Sequence, residues 1–457
     1  VSLAAPTVAD LRLLSREVVA LAWPAIVAGL VSTAVFFTDR LMLGRYDAVA
    51  LGSMQVSGPV LWSMHSVFGA FSAGTLAVVG RSVGAGDDGS ARRTTVATLA
   101  FAAAIGALVG AAGWLAAPAI ATAMVGAAES AIHAPAVGYM RIVFTASPLV
   151  FFAQAATVAL QAAGDTRTPM RVGALAGAVN LVVSAVLLFG LGGAPELGVR
   201  GAALGTAAAF LVQGLTLGGL ILERTPATDA WAGLARLRER MAPVLRIAGP
   251  AFGEKLIFHA GFLAFAAIVG RLGPAATAAN QSLIAIESLG FIAASGFGVA
   301  SGALVAQKLG ARRPDDAAAC GWLSAGIGGG ALGAVSVVFL VFPELLVGLF
   351  STDPDVVALG ARCLRVAAVA QPLMAIADAL AGGLRGAGDT HSPMRVALVG
   401  PVLVRLTACW VLAVELDFGL LGIWLGTTLD WAVRVVWLAA IFRRGAWRGL
   451  SPADPSA

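Results

Sequence analysis

Charge is the scarcest property of this 457-residue chain: only 12% of its residues are Asp, Glu, Lys or Arg, about half the share of an ordinary soluble domain. So little charge excludes a water-exposed globule. The four histidines, His65, His133, His259 and His391, are widely dispersed, and Cys320, Cys363 and Cys409 have no short metal-type spacing. Neither a zinc site nor a disulfide framework is therefore expected. Alternating segments of about ten residues, the mark of a transmembrane barrel, are missing too. The first 15 or so residues hold no signal-peptide core with a cleavage site, and the first hydrophobic run is long enough to stay in the membrane. No soluble domain is evident, because the longest connection, 223–242, is a short Arg-rich link.

What remains is hydrophobic length. The chain is 59% hydrophobic with a mean hydropathy of +0.88, and apolar runs of at least about 20 residues recur, enough for a helix to cross roughly 30 Å of hydrocarbon. About twelve such runs can be drawn, including 16–43, 93–117 and 393–414. Backbone groups in lipid must be satisfied within each segment, so the expected fold is an all-α integral membrane protein of twelve helices.

The net charge of +5 and pI near 9.7 do not indicate a nucleic-acid partner, because the basic residues are dispersed over the loops. About 20 of the 30 Lys and Arg fall in the N-terminus, in alternate loops and in the C-terminal tail. Arg92, Arg93, Arg236, Arg238, Arg240, Arg312, Arg313, Arg443 and Arg444 carry this bias most clearly. The positive-inside rule then places both termini in the cytoplasm.

The chain is also doubled. AGDTRTPMRV at 163–172 returns as AGDTHSPMRV at 387–396. An offset of about 224 to 226 also pairs Pro24 with Pro250, Gly44-Arg45 with Gly270-Arg271, Gln55 with Gln281 and Gly84-Ala85 with Gly310-Ala311. This predicts an N-terminal lobe at 1–222, a cytoplasmic linker at 223–242 and a C-terminal lobe at 243–457. A repeat of six helices returns the chain to its starting side, so the lobes should be related by a pseudo-two-fold along the membrane normal, with a cleft between them. In the motif itself, Asp and Thr can cap the helix that Pro169 or Pro393 begins, and the Arg can face anionic headgroups. Glycine, at 56 residues, reads mainly as close helix packing, Gly326 to Gly330 included.

The doubled GDT-x-x-PMR loop, the Pro24 to Asp39 spacing in WPAIVAGLVSTAVFFTDRLMLG and the six-plus-six layout together resemble the multidrug and toxic compound extrusion (MATE) family, with a first helix most like its DinF-like branch. That resemblance implies a secondary active exporter in a bacterial cytoplasmic membrane, antiporting amphipathic, often cationic compounds against H⁺ or Na⁺ by alternating access. Expected partners are the small substrates and membrane lipids, with no nucleic acid and no cofactor beyond the coupling ion, and the chain is expected to act as a monomer.

Asp39 leads the candidates. A carboxylate inside a spanning segment is costly unless it faces a cavity, a partner or an ion, and low dielectric favours its protonated form. The bland reading is a helix-end Asp near the interface with Arg40 or Arg45 beside it. The resemblance brings Asn180 and Thr206 to Asp39, but puts Ser184 where that branch has a second acid. These four can still offer oxygen ligands to Na⁺. Pro24 removes a helix hydrogen bond and is the candidate hinge. In the second lobe Asp378, matched by Gln154 in the first, and Glu254 are candidates for coupling or substrate contact. Asp430 with Arg434, and Lys255 with Glu287, are expected structural pairs. Met54, Trp62, Met64, Phe68 and Phe152 are candidates for an adaptable cavity wall.

Two rivals remain. A flippase for a lipid-linked precursor calls for a cationic central cavity, to which Arg141, Lys255 and Arg405 are the candidate contributors. A membrane-embedded enzyme calls for a close cluster such as His65, His259 and Glu287.

Overall fold

The computed structural model describes residues 7–125 and 130–450. Every regular element among them is helical, and twelve helices are long and apolar enough to cross a membrane. In chain order they are α1 (Val8–Tyr46), α2 (Ala48–Gly84), α3 (Asp88–Val125), α4 (His133–Ala162), α5 (Arg167–Phe189), α6 (Val199–Glu223), the short surface helix α7 (Ala227–Ala235), α8 (Leu237–Gly270), α9 (Pro274–Gly310), α10 (Pro314–Val341), the short α11 (Pro343–Gly348) and α12 (Pro354–Gly386). The last two spans are α13 (His391–Glu415) and α14 (Gly419–Arg444).

Local chemistry explains where the helices run past the sequence reading. α1 starts at Val8 rather than 16 because Thr7 and Asp10 form a reciprocal capping box, with the Thr7 N–H donating to Asp10 Oδ2 at 2.9 Å. α3 continues to Val125 through Pro118, as a spanning helix can when its neighbours supply the packing. The linker 223–242 is mostly helical: it holds α7 and the first turn of α8. Asp229 of α7 pairs with Arg93 at 3.2 Å, and Gly233 lets α7 lie on the α3 backbone. In α13 the turns widen at Val399–Arg405 and Val411–Glu415, where Pro401 supplies no N–H to the ladder.

The pseudo-two-fold can be read from individual contacts. A Cβ added to Gly84 of α2 would strike the Gln307 backbone, and one added to Gly310 of α9 would strike the Arg81 backbone. Residues 81 and 84 are the repeat partners of 307 and 310, so the two collisions are one contact seen twice. Gly80 closes the pattern, since its Cβ would lie 2.8 Å from the Cβ of Ala306, its own repeat partner. Further bonds tie the lobes at this face, the one that carries the termini. Gln307 Nε2 donates to Ala162 O at 2.7 Å, Arg81 Nη2 to Ala387 O at 2.9 Å and Arg81 Nη1 to Leu450 O at 2.6 Å, while Lys308 pairs with Glu17 at 2.8 Å.

Inside the second lobe, Gly298 and Gly302 of α9 meet Gly382 and Gly386 of α12 backbone to backbone, the small-xxx-small arrangement that lets membrane helices touch. Gly328 and Gly329 pack on Phe297 and Ile376, whereas Gly326 and Gly330 face open space. The doubled loop has one geometry in both copies. Gly164 (φ +88°) and Gly388 (φ +92°) are left-handed, and the next N–H, of Asp165 or Asp389, bonds back to Leu160 O or Leu384 O at 2.9 Å. Asp165 Oδ1 then accepts from the Thr168 N–H and Asp389 Oδ1 from the Ser392 N–H, each at 2.9 Å. The threonines do not cap: Thr390 donates instead to Ile247 O of α8 at 2.8 Å, and Thr166 Oγ1 is buried without a partner. The helices begin at Arg167 and His391, two residues before the prolines.

Candidate functional site

Asp39 lies on α1 two turns before its end, buried at 9% exposure. Its approach to the neighbouring helices depends on two glycines. Gly177 sets α5 against Val31 and Val35 of α1, and at Gly205 of α6 a Cβ would collide with Ser184 Oγ of α5. With α1, α5 and α6 so close, Asn180 and Ser184 become the polar side chains that face the Asp39 carboxylate. Asn180 Nδ2 donates to Thr206 Oγ1 at 3.3 Å, and the Ser184 hydroxyl donates to Ala202 O at 3.5 Å. The four residues expected together are together.

A fifth was missed. Tyr139 of α4, 5% exposed, turns its hydroxyl toward Thr206 and lies within the field of both Asp39 and Arg40. The chain has two tyrosines, and a rare phenol inside an apolar run was the available signal.

Asp39 Oδ1 and Asn180 Oδ1 are both buried without a hydrogen-bond donor. No basic group among the described residues lies within ion-pair distance of Asp39. Arg40 follows it in sequence, but consecutive side chains point about 100° apart on a helix, and its guanidinium sits over the Phe36 ring at 4.3 Å, beside Gly58 of α2. Asp39 is therefore not a solvated helix-end acid. The unpartnered oxygens of Asp39 and Asn180 and the hydroxyls of Ser184 and Thr206 converge on a site able to take a proton or a small cation.

The second lobe is arranged differently. Glu254 of α8 is clamped by Arg385 of α12, with Oε1 2.6 Å from Nη2 and Oε2 3.4 Å from Nε. Asp378 enters no ion pair among the described residues, but Arg385, Lys255 and Arg434 all act on it. Asp430 is fully buried and receives Arg434 at 2.6 Å, as expected, and also Arg405 at 2.8 Å. Lys255 does not meet Glu287. The charges near Lys255 are Glu254, Arg385 and Asp378, while the one acting on Glu287 is Arg405. Removing Asp430 would strand two buried guanidiniums, so Asp430→Ala is expected to cost about 3–5 kcal/mol, measured as thermal unfolding in detergent. A loss under about 1 kcal/mol would mean the arginines find water instead.

The remaining candidates separate. Met54, Met64 and Phe68 belong to the first lobe's core, Phe68 stacking on Phe151 at 4.2 Å, and fill space between helices. Phe152 covers Gly214 and Gly218 of α6. Trp62 is half exposed and meets Phe258, His259 and Phe262 of α8 across the lobe interface. Gln154 leaves its Nε2 buried and unpartnered. α1 runs unbroken through Pro24, which is buried. His65 packs on Phe210 and His259 on Trp62, and no metal-type cluster exists among the described residues.

The family model for MatE matches this chain twice, at residues 24–186 and 250–411, one match in each lobe. The chain belongs to the MatE family. It is a multi-pass membrane transporter of that family, made of two six-helix lobes. Among MatE relatives, the probable multidrug resistance protein NorM of Thermotoga maritima is 27% identical over 446 residues, covering 94% of this chain and 93% of that protein. Two solved structures share the fold. A variant of the Vibrio cholerae MATE transporter VcmN superposes with a TM-score of 0.88 at 16% identity, covering 96% of this chain and 99% of that one. A MOP superfamily transporter from Pyrococcus furiosus gives 0.87 at 18%, with the same coverage.

Proposed function

We propose that this MatE chain is a secondary active multidrug exporter, antiporting amphipathic, often cationic compounds against H⁺ or Na⁺ by alternating access of its lobes. The observation that carries the coupling is Asp39, a buried carboxylate with polar neighbours and no basic partner. Ser184 in place of a second acid leaves one formal negative charge there, which one proton or one Na⁺ balances. In the second lobe Glu254 is already matched by Arg385, so its charge is not free to take a cation.

Cation binding at Asp39 neutralises the charge between α1, α5 and α6, and Pro24, which leaves one turn of α1 without its hydrogen bond, is the place where α1 bends in response. Substrate favours the opposite arrangement of the lobes, since coupling requires that each ligand bind the two states differently. The face sealed by Gly80, Gly84 and Gly310 is the cytoplasmic one, in a bacterial inner membrane, because Arg92, Arg93, Arg236 and Arg313 collect there. A lipid-precursor flippase is disfavoured, since Arg405 is engaged by Asp430, Lys255 lies beside Glu254 and Asp378, and Arg141 sits over the Trp114 ring at 4.3 Å.

The test is efflux of ethidium from proteoliposomes of the full chain, under an imposed pH gradient and separately under an imposed Na⁺ gradient. One gradient should drive export against the ethidium gradient; if neither does, the exporter reading fails.

A further inference from the structure

A pocket of about 260 Å³ lies at the terminal face of the second lobe, between the start of α13, the end of α14 and the tail that follows it. Its rim carries Arg395, Arg444, Ser392 and Asp389, and its inner wall is Trp437 and Trp447. We infer that this pocket binds the phosphodiester headgroup of an anionic membrane lipid.

Charge, shape and position agree. At this end of the lobe Arg448 pairs with Asp315 and Arg313 with Asp316, whereas Arg395 and Arg444 enter no ion pair among the described residues, and both are exposed. Two guanidiniums against the Asp389 carboxylate leave one unit of positive charge, which the single negative charge of a phosphodiester balances. One Asp389 oxygen, Oδ1, is taken up by the Ser392 N–H at 2.9 Å. Guanidiniums hold phosphate by paired, charge-assisted hydrogen bonds, and the first turn of α13 adds a favourable field.

The apolar side of the pocket decides between a lipid and a free anion. Trp437 and Ile441 lie one to two turns up α14 from Arg444, on the membrane side, where the glycerol and first methylenes of a lipid would run, and tryptophan favours that depth. Trp447 is held in place by stacking on Phe442 at 4.6 Å and by donating to Phe442 O at 2.9 Å. The first lobe lacks this chemistry at its matching positions. Aligning GAALGT at 201–206 with GIWLGT at 422–427 puts Glu223 opposite Arg444 and Thr216 opposite Trp437. Arg171 matches Arg395, but an acid stands where the second guanidinium would be.

The tail that forms the pocket also reaches across to the first lobe, since Leu450 O accepts from Arg81 Nη1. A lipid seated against Trp447 therefore braces a segment that crosses the sealed face.

The test uses the full chain in phosphatidylcholine nanodiscs, titrated with brominated phosphatidylglycerol and read by tryptophan quenching. Arg395→Gln with Arg444→Gln should weaken the saturable quenching at least about a hundredfold, since the charge-assisted hydrogen bonds of both guanidiniums to the phosphate are lost. The control pair Arg171→Gln with Arg443→Gln removes the same charge from the same face outside the pocket and should weaken it no more than about thirtyfold, the diffuse surface attraction of two arginines. A lysine pair at 395 and 444, keeping the charge but not the fork, should bind within about tenfold of the parent, which shows that the pocket still folds. Equal losses in the two glutamine pairs would reduce the effect to diffuse surface attraction and overturn the site. Inorganic phosphate competing as strongly as the lipid would overturn the lipid assignment.

Discussion

Asp39→Asn is expected to abolish gradient-driven export while leaving the protein at least as stable as its parent. The amide keeps the shape and polarity of the carboxylate but cannot take up a proton and carries no charge for Na⁺. A site whose cation affinity no longer differs between the two lobe arrangements shifts no equilibrium, so uphill export should fall at least about tenfold, to the level of protein-free vesicles. Stability should move the other way or not at all. The carboxylate is buried with one oxygen unpartnered, and replacing an unpaired buried charge by a neutral group relieves a desolvation cost. Substrate exchange down its own gradient should persist. This pairing of lost coupling with retained folding distinguishes a working acid from a structural one; a variant that unfolds at markedly lower temperature would point to the structural role.

Locking the lobes is expected to have an equally large effect. In the background of the three buried native cysteines, Gly80→Cys with Ala306→Cys places two thiols on the pseudo-two-fold, where the Cβ positions lie 2.8 Å apart, so the helices must ease apart by about 1 Å to reach the roughly 3.8 Å that a disulfide spans. Oxidation should arrest transport in proportion to the fraction crosslinked, and reductant should restore it. The reasoning is geometric, because opening this face must separate Gly84 from Gln307 and Gly310 from Arg81, and a covalent bond at their centre forbids that. Fully crosslinked protein that transports at the reduced rate would show that the lobes do not part here.

The architecture was legible because it rests on two coarse signals, apolar run length and duplication, which survive errors of several residues. Helix ends were less so. The Thr7 capping box lengthened α1 by two turns, and α3 ran through Pro118 where a sequence reading stops at 117. The Asp39 group was legible through its resemblance, and its convergence depends on glycines, Gly177 and Gly205, whose role appears only when the helices are packed. Tyr139 carried no periodic signal. The charge pairs failed where facing mattered: Lys255 and Glu287 lie on adjacent helices, yet Glu254 and Asp378 hold one and Arg405 acts on the other. Met54, Met64 and Phe68 pack in the first lobe's core, which the sequence did not show for a related reason. In a spanning helix every face is apolar, so composition does not tell a cavity wall from a packed core.

The central claim, that a cation held at Asp39 and the substrate favour opposite arrangements of the lobes, is tested most directly by cation release. Purified protein in weakly buffered solution, charged with H⁺ or Na⁺ and then mixed with saturating substrate, should release about one cation per chain, because linkage between two sites is reciprocal. Asp39→Asn should release none. Equal release from parent and variant would contradict the account.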